Sequence, residues 1–283
     1  MAHNEPEIFK RLVGLLDDPR NDIYVHIDKK SDIRQFQSAR CKQSNLVFLT
    51  ERIACKWGSL DIVRAELLLF KTAKRAGPYQ YYHLISGVDL PLKSQDVIHM
   101  TTKESPSTNY IGICNNPDVN KVIEHRTRYY FPIIVRPGGH LIDRIKRIMA
   151  LYLTTLQQRL HIHRSFPFPL WKGAQWISIT DDFCSYLLDK EKEILSYFRC
   201  TLCPDEIAIH SVFMNSPFVN TQHKNDGDEY DQCLREIDWT RGTPYTWKSE
   251  DLEILINSRR WFARKFSSID MEIVNNMINK LEL

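Results

Sequence analysis

The sequence lacks the features that mark several large classes of protein. No run approaches the ~18–20 apolar residues that a membrane-spanning helix needs, and residues 1–6 do not have the basic-then-apolar pattern of a secretory leader. We find no internal repeat and no low-complexity segment. These absences favour a globular protein that is cytoplasmic, or peripheral to the inner face of a membrane.

The seven cysteines do not form a recognisable metal or disulfide pattern. Their number is odd and their spacing scattered, which suits reduced thiols. Cys200 and Cys203 make a single CxxC pair, and no second pair exists to complete a zinc site. A redox pair usually lies between a strand and the helix that the pair opens, and only the helix is predicted here. The role of this pair stays open between a redox pair and two incidental thiols.

Positive charge is concentrated in one span of the chain, residues 121–172. Ten Lys or Arg face two acids there, a balance of +8 in a chain whose net charge is +3. Apolar residues between 141 and 156 recur at helical spacing, which predicts a basic amphipathic helix. We favour a helix that packs on the core and shows its basic residues to solvent. The alternative is contact with an anionic membrane, whereas nucleic acid is not expected because no recognised binding motif is present.

Around this span, helical and strand patterns alternate. Such alternation predicts an α/β fold with a mostly parallel sheet and helices on both faces. We expect one domain over residues 1–283, with the basic span as a helical insertion. The predicted helices cover residues 7–17, 57–73, 181–198, 247–257 and 270–281, and residues 93–110 are predicted as a helix and a connection. The predicted strands cover residues 22–28, 47–49, 81–86, 110–113 and 234–239, and residues 171–179 turn into a further strand.

Some polar residues directly follow predicted strands. In sheets of this kind ligands bind at the carboxyl ends of the strands, so Asp28, Arg52 and Asp89 are candidates by position. Loop residues that cap turns would look the same. Asp226 and Asp228 suggest a metal site, but they lie in a hydrophilic loop with no buried strand before it. We therefore predict no metal site.

The stretch from Cys203 to Asn215 reads as the start of a helix. Pro204 suits the first helical position, and Asp205 and Glu206 place negative charge in the first turn. A carboxylate held there on a rigid element meets the requirement for a general base. A capped helix with solvated acids fits the same residues. The sequence does not decide whether burial or the helix end controls the pKa of Glu206.

Seven motifs in this order resemble the core-2/I-branching glycosyltransferase family, which includes peptide-O-xylosyltransferases. The resemblance spans residues 23–266 and implies a GT-A-like (Rossmann-like) fold. It also implies transfer of a sugar from a UDP-sugar to a hydroxyl, with inversion and without a metal. The motifs are Ile23-Tyr24-Val25-His26-Ile27-Asp28, Trp57-Gly58-Ser59, Leu84-Ile85-Ser86-Gly87-Val88-Asp89-Leu90-Pro91-Leu92, Lys172-Gly173-Ala174-Gln175-Trp176, Cys203-Pro204-Asp205-Glu206, Asp238-Trp239-Thr240-Arg241 and Phe262-Ala263-Arg264-Lys265-Phe266.

The resemblance implies a role for three residues. Glu206 falls where the family has its catalytic base, and Arg241 and Lys265 fall where it has the two basic residues that contact the UDP diphosphate. Fixed positive charge would neutralise the leaving group in place of a metal. We therefore expect no cofactor.

Other positions match the family less specifically. Val25, Asp28 and Arg52 are candidates on the nucleotide side, and Asp89 and Trp176 are candidates for the sugar or acceptor subsite. The donor sugar is expected to be GlcNAc or xylose, and the acceptor a glycan or another hydroxyl compound.

The chain also departs from the family pattern. The strand that usually precedes the Ala-His pair is missing, because the sequence begins at Met1-Ala2-His3. We expect an exposed sheet edge there. We also expect neither the membrane anchor nor the stem that animal members carry, so the chain resembles compact bacterial members that act on surface glycans. A catalytically inactive nucleotide- or glycan-binding module of the same fold is the alternative function.

Overall fold

A computed structural model describes residues 1–135, 141–224 and 227–281. Within these ranges the helices are α1 (Pro6–Leu15), α2 (Leu60–Ala76), α3 (Gln95–Glu104), α4 (Val119–Thr127), α5 (Leu141–Arg159), α6 (Asp181–Asp189), α7 (Glu191–Tyr197), α8 (Ala208–Met214), α9 (Glu229–Cys233), α10 (Leu252–Asn257) and α11 (Met271–Leu281). The strands are β1 (Asp22–Val25), β2 (Asn45–Phe48), β3 (Tyr81–His83), β4 (Asp89–Pro91), β5 (Ser178–Thr180), β6 (Arg235–Ile237) and β7 (Phe262–Arg264).

The α/β class is confirmed, but the sheet pairings are mixed. β1 pairs with β2 and β6 with β7 in parallel. β3 pairs with β5 and β4 with β7 antiparallel. The expectation of a mostly parallel arrangement is therefore corrected for the described part of the chain. Side chains alternate with the same period in strands of either direction, so the apolar pattern alone could not set the direction.

The expected open edge beside β1 is not seen, because the first two residues cover it. Ala2 pairs in parallel with Ile27, and its N–H donates to the carbonyl of His26 at 2.9 Å. On the other side, the Gly87 N–H donates to the carbonyl of Met1 at 2.7 Å. Two residues thus connect β1 to the segment that leads into β4.

The largest hydrophobic core lies around α2. The hydroxyl of Ser59 caps this helix by accepting the N–H of Asp61. Val63 and Leu67 on its buried face pack in one cluster with residues of β5, α6 and α8, including Ile179 and Phe183. The first turn of α2 is thereby fixed, and this turn borders the candidate site.

Some predicted elements differ from the observed ones. Residues 110–113 form no strand, and only a single antiparallel bridge joins Tyr110 to Ser178. Residues 204–206 form a 3₁₀ turn, and α8 starts only at Ala208 because Ile207 leaves the helical region with φ −127°. The helix expected from residue 247 begins with a 3₁₀ turn and continues as α10. Local propensity does not fix such boundaries.

The apolar face of α5 does not pack on the core, so the favoured interpretation of this helix was wrong. The side chains of Ile148 and Tyr152 are 67% and 65% exposed. The helix is instead held through its other face, where the Gln157 amide bonds both the N–H and the carbonyl of Tyr130. No helix within the described ranges is long and apolar enough to cross a bilayer.

All seven cysteines are free thiols in the structure. Cys203 is buried, and burial raises the pKa of its thiol to about 12. A redox CxxC pair needs a lowered thiol pKa. The observed environment therefore favours two incidental thiols.

We expect Gly58→Ala to destabilise the fold. Gly58 has φ +71°, and a Cβ there would lie 3.2 Å from Cys203 Sγ and 3.3 Å from Ile134 Cγ2. The free energy of unfolding in urea should fall by about 1–3 kcal/mol. Gly14→Ala is the control, since Gly14 lies in α1 with open space around it and should gain about 0.5–1 kcal/mol. Equal stability of the Gly58→Ala variant and the wild type would contradict this account.

Candidate active site

Three separate segments meet at the turn that carries Glu206. The Cys203 N–H donates to the carbonyl of Gly58 at 2.8 Å, and the Gly173 N–H donates to the carbonyl of Glu206 at 2.9 Å. A Cβ on Gly173 would lie 1.7 Å from the carbonyl oxygen of Gly112. Only glycine permits this approach, so the motifs at 57–59, 172–176 and 203–206 form one packed unit.

Two cations hold the Glu206 carboxylate. Arg126 Nη1 lies 2.7 Å and Lys172 Nζ 3.2 Å from Glu206 Oε2. The Glu206 side chain keeps 30% of its surface exposed. Both cations approach the same oxygen, and within the described ranges no residue hydrogen-bonds Oε1. One carboxylate oxygen is therefore anchored while the other is open.

The pKa of Glu206 reflects these neighbours. Burial is the largest influence and raises the pKa, but the positive charges of Lys172 and Arg126 outweigh it together, and the pKa lies below its usual value. The carboxylate is therefore ionised at neutral pH. The sequence left open whether burial or the helix end controls the pKa of Glu206. The structure shows that the two cations have the decisive influence.

Two further carboxyl groups lie behind Glu206. Burial, and then the charge of Glu206, raises the pKa of Asp205 to about 7. Burial, and then Asp205, raises the pKa of Glu66 well above its usual value, although Gln175 Nε2 donates to Glu66 Oε1 at 2.7 Å. The ionised Glu206 is thus backed by two acids that favour the protonated form.

The side chain of His210 has a structural role. Burial lowers the pKa of its imidazole to about 4. In this neutral form Nε2 donates to the carbonyl of Ala174 at 2.9 Å. His210 therefore fixes the loop that also carries Lys172.

A cavity opens beside the site. Its volume is about 350 Å³, and its walls come from residues 114–123 and 169–172, with Lys172 among them. This volume lies within the range of small-molecule sites. Because Lys172 is part of its wall, the cavity lies next to the cation that anchors Glu206.

Arg241 and Lys265 lie at the same edge of a sheet. They follow β6 and β7, which are parallel and place Ile237 opposite Arg264. The intervening loop connects them, because the Trp247 N–H donates to the carbonyl of Lys265 at 3.0 Å. The guanidinium of Arg241 lies 5.5 Å from the centre of the Trp247 ring.

Arg241 is held in place by two acids and an aromatic ring. Its Nε and Nη1 bond Asp238 and Asp251, at 2.5 and 2.6 Å, and its guanidinium lies 4.0 Å from the centre of the Tyr245 ring. In the part of the chain that the structure describes, Nη2 has no hydrogen-bond acceptor. This atom is therefore accessible to a ligand.

The candidates on the nucleotide side are mostly engaged with their own backbone. Arg52 donates to the carbonyls of Ile27 at 3.0 Å and Asp28 at 2.8 Å. Asp28 Oδ1 accepts the Lys30 N–H at 2.8 Å, and Val25 is buried at the end of β1. These contacts shape the loop after β1. A direct contact of Val25, Asp28 or Arg52 with a nucleotide stays a prediction.

Asp89 and Trp176 meet on one guanidinium. Arg264 Nη1 lies 3.3 Å from Asp89 Oδ1, and the guanidinium of Arg264 lies 4.6 Å from the Trp176 ring centre. Asp89 is only 1% exposed and also accepts the N–H of Ser86. Both residues therefore support the segment that carries Lys265. Their contact with a sugar or acceptor stays a prediction.

Sequence reasoning missed four charged residues of this site. Lys172 is the first residue of the motif at 172–176, and its place in that motif is the signal that could have identified it. Arg126 is 80 residues from Glu206 in sequence and belongs to a helix, α4, that the pattern did not predict. In the sequence, Asp205 and Glu66 cannot be distinguished from other acidic residues in helices. Their roles follow from burial, which a sequence does not display.

The described part of the chain contains no metal centre. Within residues 1–135, 141–224 and 227–281, no three His, Cys, Asp or Glu side chains are arranged to hold an ion. Asp226, part of the loop considered for a metal, lies outside the described residues. Metal independence remains a prediction.

Comparison with known proteins identifies the family. The family model described as "Core-2/I-Branching enzyme" matches residues 1–258. The chain therefore belongs to the core-2/I-branching enzyme family, as its motifs indicated.

Curated relatives agree with this assignment. Human xylosyltransferase 1 is 22% identical over 90% of this chain and 27% of its own length. Human beta-1,3-galactosyl-O-glycosyl-glycoprotein beta-1,6-N-acetylglucosaminyltransferase 3 is 22% identical over 100% of this chain and 66% of its own. The chain thus spans about a quarter of the length of the first relative and about two thirds of the second.

We expect Asp205→Asn to change how stability depends on pH. The folded-state pKa of about 7 exceeds the ordinary 3.8, so the folded protein holds an extra proton between these values. The free energy of unfolding should therefore fall as pH rises from about 4 to about 7. The Asn side chain does not ionise, so the variant does not lose this stability as pH rises. At pH 8 it should be more stable than the wild type by about 2–4 kcal/mol.

Urea unfolding at pH 5 and pH 8 measures the effect. Asp182→Asn is the matched control, because Asp182 is exposed on α6. The same pH slope in the Asp205→Asn variant and the wild type would show that Asp205 is ionised throughout.

Proposed function

We propose that the protein is an inverting, metal-independent glycosyltransferase that moves GlcNAc or xylose from a UDP-sugar to a hydroxyl of a glycan. The observation that carries the proposal is Glu206, an ionised and partly exposed carboxylate on a rigid turn, anchored through one oxygen. Membership of the core-2/I-branching enzyme family supports it. The names of the relatives include both a xylosyltransferase and an N-acetylglucosaminyltransferase, so both donors stay in the proposal.

The proposed step is a single displacement. The acceptor hydroxyl gives its proton to Glu206 Oε1 while its oxygen forms a bond to the anomeric carbon. The bond from that carbon to the diphosphate oxygen breaks, and its electron pair leaves with UDP. Attack opposite the leaving group inverts the configuration. Lys172 and Arg126 keep the carboxylate ionised and oriented before the proton arrives.

The leaving diphosphate needs positive charge. Arg241 is oriented by Asp238 and Asp251 with Nη2 open, and Lys265 follows the neighbouring strand. Charges fixed before the reaction stabilise a developing anion without reorganisation. We assign to this pair the neutralisation that a divalent metal ion would otherwise supply.

A catalytically inactive binding module is the second candidate. The observation that favours it is that two cations already occupy Glu206 Oε2, which lowers the basicity of the carboxylate. Such a protein would bind UDP without turnover. The two candidates differ in whether Glu206 contributes to a reaction.

We expect Glu206→Gln to abolish transfer and to leave UDP binding intact. The amide keeps the volume of the side chain but cannot take a proton, and a general base contributes about 10²–10⁴-fold. Transfer from UDP-GlcNAc and UDP-xylose and UDP affinity by calorimetry are the measurements. Glu104→Gln, an exposed position on α3, is the control. Near wild-type turnover in the Glu206→Gln variant would remove Glu206 from the mechanism.

We expect Arg241→Ala and Lys265→Ala to weaken UDP binding more than uridine binding. Uridine lacks the diphosphate, and a charge-assisted contact is worth roughly 1.5–3 kcal/mol, about tenfold or more in affinity. The two losses should not add fully, because both cations act on one group. Arg34→Ala is the control, since Arg34 is exposed and pairs only with Asp32 among the described residues.

The same protein preparations test the metal-free part of the proposal. Turnover by the wild type should be unchanged by EDTA. Activity that chelation removes and Mn²⁺ restores would refute a purely basic diphosphate site. Equal UDP affinity in the wild type and both alanine variants would refute the assignment of Arg241 and Lys265.

A further inference from the structure

We propose that helix α5 docks the protein on an anionic lipid surface through an exposed apolar face, which we call the α5 stripe. The stripe consists of five side chains with 38–67% of their surface exposed: Ile145, Ile148, Met149, Tyr152 and Leu156. Side chains of this kind are normally buried in a protein of this size. Their exposure as one group is typical of an interaction surface.

The spacing of the stripe places all its members on one side of α5. They recur three, four, seven and eleven residues after Ile145, which is the spacing of a single helical face. A different face of the helix carries Gln157, whose amide bonds Tyr130 at 2.9 and 3.0 Å. The helix is therefore anchored to the rest of the chain by one face and presents the stripe away from it.

Cations border the stripe on both sides. Arg144 and Lys146 flank Ile145 in sequence, and successive residues of a helix are rotated by about 100°, so they lie on opposite edges. Both are exposed, as is Arg159 at the end of the helix. A row of apolar side chains between two cationic edges is the arrangement of helices that lie in the membrane interface. Tyr152 adds an aromatic ring of the type enriched at that depth.

The charge pattern favours lipid over a second copy of the chain. In a two-fold dimer each residue of the patch faces the same patch of the partner, which would bring the cationic edges of two α5 helices together. The whole span of residues 121–172 has a charge of +8, with ten basic and two acidic residues. An anionic bilayer complements both the positive charge and the row of apolar side chains, whereas the cationic edges of two copies would repel each other.

The docking helix connects directly to the candidate active site. Gln157 of α5 bonds Tyr130, which lies three residues beyond the end of α4. On α4, Arg126 contacts Glu206. Docking would therefore hold the Glu206 site close to the lipid surface, although the docking proposal does not depend on the proposed reaction.

Co-sedimentation with lipid vesicles tests the proposal. The wild type should bind vesicles of phosphatidylcholine with phosphatidylglycerol and bind pure phosphatidylcholine far more weakly. Ile148→Asp should reduce binding at least about tenfold. The double variant Arg144→Gln, Lys146→Gln should lose about 25-fold, roughly fivefold for each cation near the surface, and added salt should weaken the wild type similarly.

Met100→Asp is the matched control. Met100 is 56% exposed on α3, so the change adds the same charge at an exposed apolar residue outside the stripe, and binding should equal that of the wild type. Circular dichroism of all variants checks that they are folded, which is expected because the changed residues are exposed.

Three results would overturn the proposal. They are absence of wild-type binding to anionic vesicles, equal loss in the Met100→Asp and Ile148→Asp variants, and a dimer in light scattering that Ile148→Asp dissociates. The last result would assign the stripe to an interface between two copies of the chain.

Discussion

The ion triad of Arg126, Glu206 and Lys172 connects the parts of this structure that matter for function. It joins α4, the loop before β5 and the turn before α8, which are distant in sequence. Partly buried charges are stable only when they are paired, so each segment depends on the others for its position. The triad therefore connects these segments and also keeps the carboxylate of Glu206, the proposed base, ionised.

Three neighbouring carboxyl groups differ in protonation because their surroundings differ. Glu206 has two cations and a path to solvent, whereas Asp205 and Glu66 are buried beside negative charge. Environments that push the pKa values of neighbouring acids apart are how proteins assign different roles to one type of side chain. Glu206 alone is ionised and accessible. This division, rather than the helix end, makes it the candidate base.

The sequence predicted the parts of the fold that depend on local patterns. α1, α2 and α11 appear within a few residues of their predicted limits, and α3 begins close to its predicted start. Caps such as Ser59 and Ser94 and apolar periodicity are local signals. Strand direction could not be predicted, because β4 pairs antiparallel with β7 across 173 residues of sequence. The pairing of Ala2 with Ile27 is also non-local.

The site was predicted only in part for a similar reason. Glu206, Arg241 and Lys265 lie within motifs, so a resemblance to a family could single them out. Arg126 has no motif and reaches Glu206 only through the tertiary fold. The exposed face of α5 shows a second limit of prediction from sequence. Amphipathic spacing predicts which residues share a face of a helix, but not what that face contacts.

The most direct test of the central claim is the configuration of the sugar after transfer. UDP-GlcNAc and UDP-xylose hold their sugars in α linkage, and proton NMR of the first product formed by the wild type reports the new anomeric configuration. The account predicts a β-configured product, because the acceptor activated by Glu206 attacks opposite the leaving UDP in one step. An α-configured product, or no turnover of any UDP-sugar, would contradict it.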